Sequence, residues 1–243
     1  MSSKLFDVQL VFERIPAILA YLPVTMQLVL YSTALSLIVG ALVALIKINR
    51  VPVLRQIAAF YVSFARGTPS IVQLYLIFFG IPLALRAMNT YWGTNFSTVA
   101  PSMLCAIIAF TFNEGAYASE NIRAALESVD RGQREAALSI GMTPVQAFFR
   151  IILPEALVVA LPPLGNSFIG SIKNTSLAFT CAVVEMTAGA KLLASRDYRY
   201  FEMYVSLALI YWVITFVVSR ALTWAEKKLR CDEREVSVRD SAR

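Results

Sequence analysis

The sequence predicts an all-α, polytopic membrane protein with five transmembrane helices, on three observations. Of its 243 residues 58% are apolar and only 16% are charged, against roughly 45–50% and about 25% in an average soluble domain. The apolar residues lie in long uncharged runs, the first of them 24 residues over 23–46. The charges, 22 Lys and Arg against 16 Asp and Glu for a formal +6, gather between the runs, so the basic balance reads as membrane topology and needs no nucleic acid.

Each span is argued in chain order. At 1.5 Å per residue, 23–46 crosses a ~30 Å hydrocarbon core. It reads as a span and not a secretory signal, because it is too long, its leader is mixed in charge, and further spans follow. Residues 67–85 form a second uncharged run of 19, with Thr68 as its expected cap and Pro69 at its first helical position. The third span is expected over 99–120 and carries Glu114. The fourth, 156–172, is expected to break at Pro162, Pro163 and Gly165, and the fifth covers 203–219. With the N-terminus outside, fourteen Lys and Arg fall in the inner segments 47–68, 121–150 and 226–243. Six fall in outer segments, and Lys173 and Arg220 complete the 22, so the positive-inside rule is met.

Composition also removes chemistries. There is no histidine, and Cys105, Cys181 and Cys231 are far apart, so neither a His-based catalytic group nor a metal cluster is expected. No phosphate-binding loop of the Gly-x-x-x-x-Gly-Lys-[Ser/Thr] type occurs. Any energy source is then a gradient or another subunit. No matched halves of the kind found in secondary transporters are evident, and five helices are few to enclose a pathway, so a dimer is expected.

The inner loop 128–154 is the most informative stretch. Asp130 is a helix cap, 131–140 holds good helix formers, and Gly141 is placed to end the helix in the left-handed conformation. Thr143 caps again, and Pro144 opens a piece carrying Val145, Phe148, Phe149 and Ile152. By itself this is an amphipathic interfacial segment. Its residues Glu135-Ala136-Ala137, then Gly141, then Ile151-x-Leu153-Pro154 resemble the EAA loop of the membrane subunits of ABC importers. Three further stretches resemble landmarks of the polar amino acid permeases within that family: Arg66-Gly67-Thr68-Pro69 with Val72-Gln73-Leu74, then Ala116-Tyr117-x-Ser119-Glu120-x-x-Arg123, then Lys173-Asn174-Thr175-Ser176-Leu177 with Glu185.

The resemblance implies a cytoplasmic coupling helix over about 131–141, seated in a cleft of an ATPase subunit, with Glu135 as its polar contact, Ala136 and Ala137 as its close-approach surface and Gly141 as its turn. It implies a single transmembrane domain over 1–243 in the bacterial cytoplasmic (inner) membrane, with a cytoplasmic tail at 226–243. The implied partners are two ATPase subunits, a second permease subunit that is a copy or a paralogue, an extracytoplasmic solute-binding protein and the lipid around it. No cofactor, metal or covalent chemistry is implied.

Charges within spans usually face a polar cavity or a partner. Here they are Glu114, Glu120 and Arg123 on the third span, with Lys173 after the fourth. Glu114, Tyr117 and Glu120 are spaced i, i+3, i+6 on one helical face, with Asn113 adjacent and Arg123 continuing the stripe. A zwitterionic amino acid needs an anion for its ammonium and donors for its carboxylate. Glu114 with Asn113 or Tyr117 suits the first. Lys173, with Asn174 and Thr175 beside it, or amides freed near Pro162, suits the second. Relatives often carry an acid after this lysine, and Asn174 removes that charge. Two alternatives stand beside this reading: Glu120 with Arg123 as an internal ion pair, and a gradient-driven amino acid carrier or channel using Glu114 and Glu120 as cation sites.

Overall fold

The computed structural model describes the backbone of residues 6–241 and the side chains of residues 6–228. Cys231 and the basic side chains of the tail beyond Lys228 lie outside the described residues. All described regular structure is helical. Helix α1 (Val8–Leu19) is followed by α2 (Leu22–Ile48), α3 (Leu54–Gly67), α4 (Ser70–Trp92) and α5 (Ser102–Ser128). The inner loop holds α6 (Arg131–Ser139) and α7 (Pro144–Ala147). A π turn (Phe148–Ile152) leads into α8 (Leu153–Asn174), a 3-10 stretch (Thr175–Cys181), α9 (Met186–Ala194) and α10 (Tyr200–Ser241). Among the described residues four helical runs are long and apolar enough to cross a membrane: Leu22–Ile48, Ser70–Trp92, Pro144–Cys181 and Tyr200–Lys228. Helix α5, the expected third span, is not among them, because Asn113, Glu114, Glu120, Arg123 and Glu127 lower its hydropathy.

Helix α5 is the hub, packed against α2, α3, α4 and α8. The closest pairing is with α2, whose buried Ser32, Ser36, Gly40 and Ala44 recur every fourth residue and form a thin stripe. Small side chains let two backbones approach where lipid provides no hydrophobic drive between helices. At Gly40 a Cβ would lie 2.7 Å from the Ala118 Cβ and 3.0 Å from the Ser119 nitrogen. The serine hydroxyls do not stay unpaired: Ser32 Oγ donates to the Leu28 carbonyl at 2.7 Å and Ser36 Oγ to that of Thr33 at 2.9 Å. A second core joins α1, α9 and α10 through Ile18, Met186, Ala190, Met203 and Leu207.

Several boundaries differ from the sequence expectation. The leader contains α1, capped by the Asp7 carboxylate and held to α10 where Ser206 Oγ donates to the Val11 carbonyl at 2.7 Å. Residues 54–67, expected in an inner connection, form α3, and Pro69 rather than Thr68 stands before the first residue of α4. The Thr68 hydroxyl instead donates back to the Phe64 carbonyl at 2.8 Å. Helix α8 runs unbroken through Pro162, Pro163 and Gly165. Proline's fixed φ suits a helix, and the lost N–H groups free only two carbonyls, those of Val158 and Val159. Gly165 is a packing position, where a Cβ would lie 3.2 Å from Leu222 Cδ1 on α10. The fifth run continues past residue 219 as α10.

Candidate functional site

The inner loop is built by local capping chemistry. Asp130 Oδ1 accepts the Gly132 N–H at 2.6 Å and starts α6. The helix ends in a Schellman motif: Met142 N donates to the Ala137 carbonyl at 3.1 Å and Gly141 N to that of Leu138 at 3.0 Å. This needs φ +87° at Gly141, in the left-handed region. Thr143 and Gln146 then form a reciprocal capping box for α7. Within α6 only Ala137 is buried, while Glu135, Ala136, Arg131 and Arg134 are exposed. The loop therefore anchors one alanine inward and leaves the rest of a nine-residue helix open on its surface.

The α3–α4 break sits against the middle of α5. The carbonyl of Ala65 would ordinarily accept the N–H of residue 69, but that residue is Pro69 and has none. Two side-chain amides fill the place: Gln73 Nε2 donates to Ala65 O at 2.8 Å and Asn113 Nδ2 at 3.3 Å. Asn113 Nδ2 also donates to Gln73 Oε1 at 3.0 Å, and Gln73 reaches Thr68 Oγ1 at 2.6 Å. Both amides are almost fully buried. Asn113 thus closes a helix break and is turned away from the stripe it neighbours in sequence.

The rest of the α5 stripe divides into two parts. Glu114 is half-buried, with no cation within 4 Å among the described residues. Tyr117 is exposed, its ring beneath the Arg66 guanidinium at 5.4 Å. Glu120 is engaged on both oxygens, by Lys47 of α2 and by Arg123 Nη2 at 2.6 Å. Arg123 in turn holds Glu127 at 2.6 Å. The ion-pair alternative therefore describes Glu120 and Arg123, with Lys47 as the partner that sequence spacing did not point to.

At the end of α8, Lys173 and Asn174 are exposed, while Thr175 is buried and donates to the Ile172 carbonyl at 2.7 Å. Glu185 is fully buried and caps α9, accepting Thr187 N and Ala188 N at 2.9 Å and the Tyr211 hydroxyl at 3.3 Å. Burial pushes its carboxyl above the ordinary carboxylate value, although these donors draw it down. The structure brings Thr187 to the Glu185–Tyr211 group, its hydroxyl 3.4 Å from that of Tyr211. Lys173 and Glu114 make no contact with each other among the recorded hydrogen bonds and ion pairs of the described residues. Of the aromatics, Phe110 belongs to the core and Phe112 packs edge-on to Tyr61, while Tyr75 and Phe79 stack at 5.9 Å on an exposed face of α4.

Comparison with known proteins agrees with this architecture. The family described as binding-protein-dependent transport system inner membrane components matches residues 36–230. PatM of Vibrio harveyi, a probable amino-acid ABC transporter permease protein, is 42% identical over 224 residues, 92% of this chain and 96% of PatM. TcyL of Bacillus subtilis, an L-cystine transport system permease protein, is 37% identical over 233 residues, 96% of this chain and 95% of TcyL. A solved amino acid ABC transporter, crystallised with histidines, has a TM-score of 0.77 at 32% identity, covering 92% of this chain and 99% of that one. With its apolar helical runs and exposed inner-loop helix, the chain belongs to the inner membrane components of binding-protein-dependent transport systems, the permease subunits of ABC transporters.

Proposed function

We propose that this chain is the membrane-spanning permease subunit of an ATP-driven importer for polar amino acids, and that it moves substrate by alternating access. It performs no covalent chemistry, because ATP is hydrolysed by separate subunits. Helices α2, α4, α5, α8 and α10 are the five spans, α5 crossing with its polar stripe turned to the pathway and to α2. The N-terminus lies outside and the C-terminus in the cytoplasm. Two copies, or this chain and a paralogue, pair around the pathway, each engaging one ATPase through α6, while a solute-binding protein delivers substrate from the other side.

The observation that carries this reading is the exposure of Glu135 and Ala136 on a helix pinned by Ala137 and turned by Gly141. Among the described residues no ion pair or side-chain hydrogen bond takes up the Glu135 carboxylate. Glu114 is the anion for the substrate ammonium, since it alone of the α5 carboxylates lacks a cationic partner among the described residues. Lys173, with Asn174 and Thr175, serves the substrate carboxylate; Tyr117 lines the path between them. In proteoliposomes with the cognate ATPase and binding protein, Glu135→Arg combined with Gly141→Pro is expected to abolish substrate-stimulated ATP hydrolysis. Hydrolysis that stays at the wild-type level overturns the coupling assignment.

A further inference from the structure

Beside the inner loop a cleft of about 940 Å³ separates the α2–α3 turn from the end of α5 and the start of α6. Six cations line it: Lys47, Arg50, Arg55, Arg123, Arg131 and Arg134. Its two carboxylates are already engaged, Glu127 by Arg123 at 2.6 Å and Asp130 by the Gly132 N–H at 2.6 Å. Lys47 and Arg123 are engaged by Glu120. Arg50, Arg55, Arg131 and Arg134 remain, all exposed and without a carboxylate within 4 Å among the described residues. Four guanidinium groups converging on one space repel each other unless an anion lies among them.

We infer that the anion is the phosphate of an acidic phospholipid headgroup. Two features favour a lipid over a soluble phosphate. The cleft opens where α2, uncharged over 23–46, reaches its first charge at Lys47, which places it at the boundary between hydrocarbon and water. The same cleft has apolar walls, Leu45, Ile48, Leu126 and Phe148 among them, against which acyl carbons can lie. Acidic lipid is concentrated at the cytoplasmic leaflet, and basic pockets between helices there hold such headgroups. Lipid charge thereby braces the α2–α3 turn against α6, so the coupling helix is positioned partly by the membrane. The placement rests on the orientation proposed above. That orientation is read separately, from labelling of an Asn49→Cys variant from each side of the membrane.

The test is native mass spectrometry of the full chain in detergent, titrated with phosphatidylglycerol and, in parallel, phosphatidylcholine. Phosphatidylglycerol is expected to bind in preference. Arg50→Gln with Arg55→Gln should weaken it roughly thirtyfold, whereas Arg50→Lys with Arg55→Lys stays within a few-fold. Arg86→Gln with Arg196→Gln, which removes the same charge outside the cleft, should change nothing. Equal binding of the two lipids, or unchanged phosphatidylglycerol binding in the glutamine pair, overturns the proposal. Displacement of the lipid by millimolar inorganic phosphate would assign the cleft to a soluble anion and overturn it as well. So would a glutamine pair that keeps its lipid but loses its ATPase subunit, since the cleft would then be a protein-docking surface.

Discussion

Asn113 and Gln73 meet inside the bundle at 3.0 Å, and both donate to the one carbonyl, Ala65 O, that Pro69 leaves without its helical partner. A carbonyl freed by a helix break and buried in the bundle is tolerated only when another donor takes it up. Gln73→Leu and Asn113→Leu are each expected to destabilise the chain by about 1–3 kcal/mol. The double variant should lose less than the sum, with a coupling of roughly 1 kcal/mol. Thermal unfolding in detergent measures all three.

Glu114 should behave in the opposite way to its neighbour. Neutralising a half-buried acid that has no cationic partner among the described residues relieves desolvation and does not orphan a bond. Glu114→Gln is therefore expected to leave the unfolding midpoint unchanged or raised, while lowering amino acid uptake in proteoliposomes by an order of magnitude or more. A drop in stability without a drop in uptake would return Glu114 to a packing role.

The Lys47–Glu120–Arg123–Glu127 chain predicts an order among its members. Glu120→Gln removes the anion shared by two cations. It should cost more than Lys47→Met, which leaves Glu120 its bond to Arg123, and roughly 2 kcal/mol is expected for hydrogen bonds of this kind. Glu127→Gln, at the more exposed end, should cost no more than about 0.5 kcal/mol. Parallel melts of the three variants give the order directly.

At Gly40 the expected fault is steric. A methyl there meets the Ala118 Cβ at 2.7 Å, so Gly40→Ala forces α2 and α5 apart, at about 1–3 kcal/mol. Ala118→Gly should recover only part of the loss, because the Ser119 nitrogen stands 3.0 Å from the same point. Unfolding midpoints of the single and double variants test this.

Gly141 separates conformation from contact, since its φ is +87° and no atom lies within 4 Å of an added Cβ. Gly141→Val should loosen the end of α6 by about 1–2 kcal/mol, whereas Gly141→Asn, which tolerates left-handed backbone, should lose little. Hydrogen exchange over residues 136–142 reads the local effect, and uptake per ATP hydrolysed reads its consequence.

What could be read without coordinates was local. A helix crossing a bilayer must carry about twenty apolar residues, so four of the five expected runs appear as plain uncharged stretches. The caps at Asp130 and Thr143 and the turn at Gly141 depend on neighbours within six residues, and they fold as their spacing indicates. The remaining run, α5, was visible as a helix, but its polar side chains keep it out of the runs apolar enough to cross a membrane.

The sequence by itself therefore determined an all-helical membrane chain, the inner-loop geometry and the family it serves. Only the tertiary structure decided which partners the polar groups of α5 meet. Lys47 lies 73 residues from Glu120, and Gln73 lies 40 from Asn113. These pairs exist because the small stripe ending at Gly40 and Ala44 sets the register of α2 on α5, and because Pro69 leaves a carbonyl for α5 to satisfy. Helical periodicity tells which residues share a face. It does not tell which neighbouring helix that face meets, and in a bilayer that neighbour decides whether a charge is a strut or a binding group.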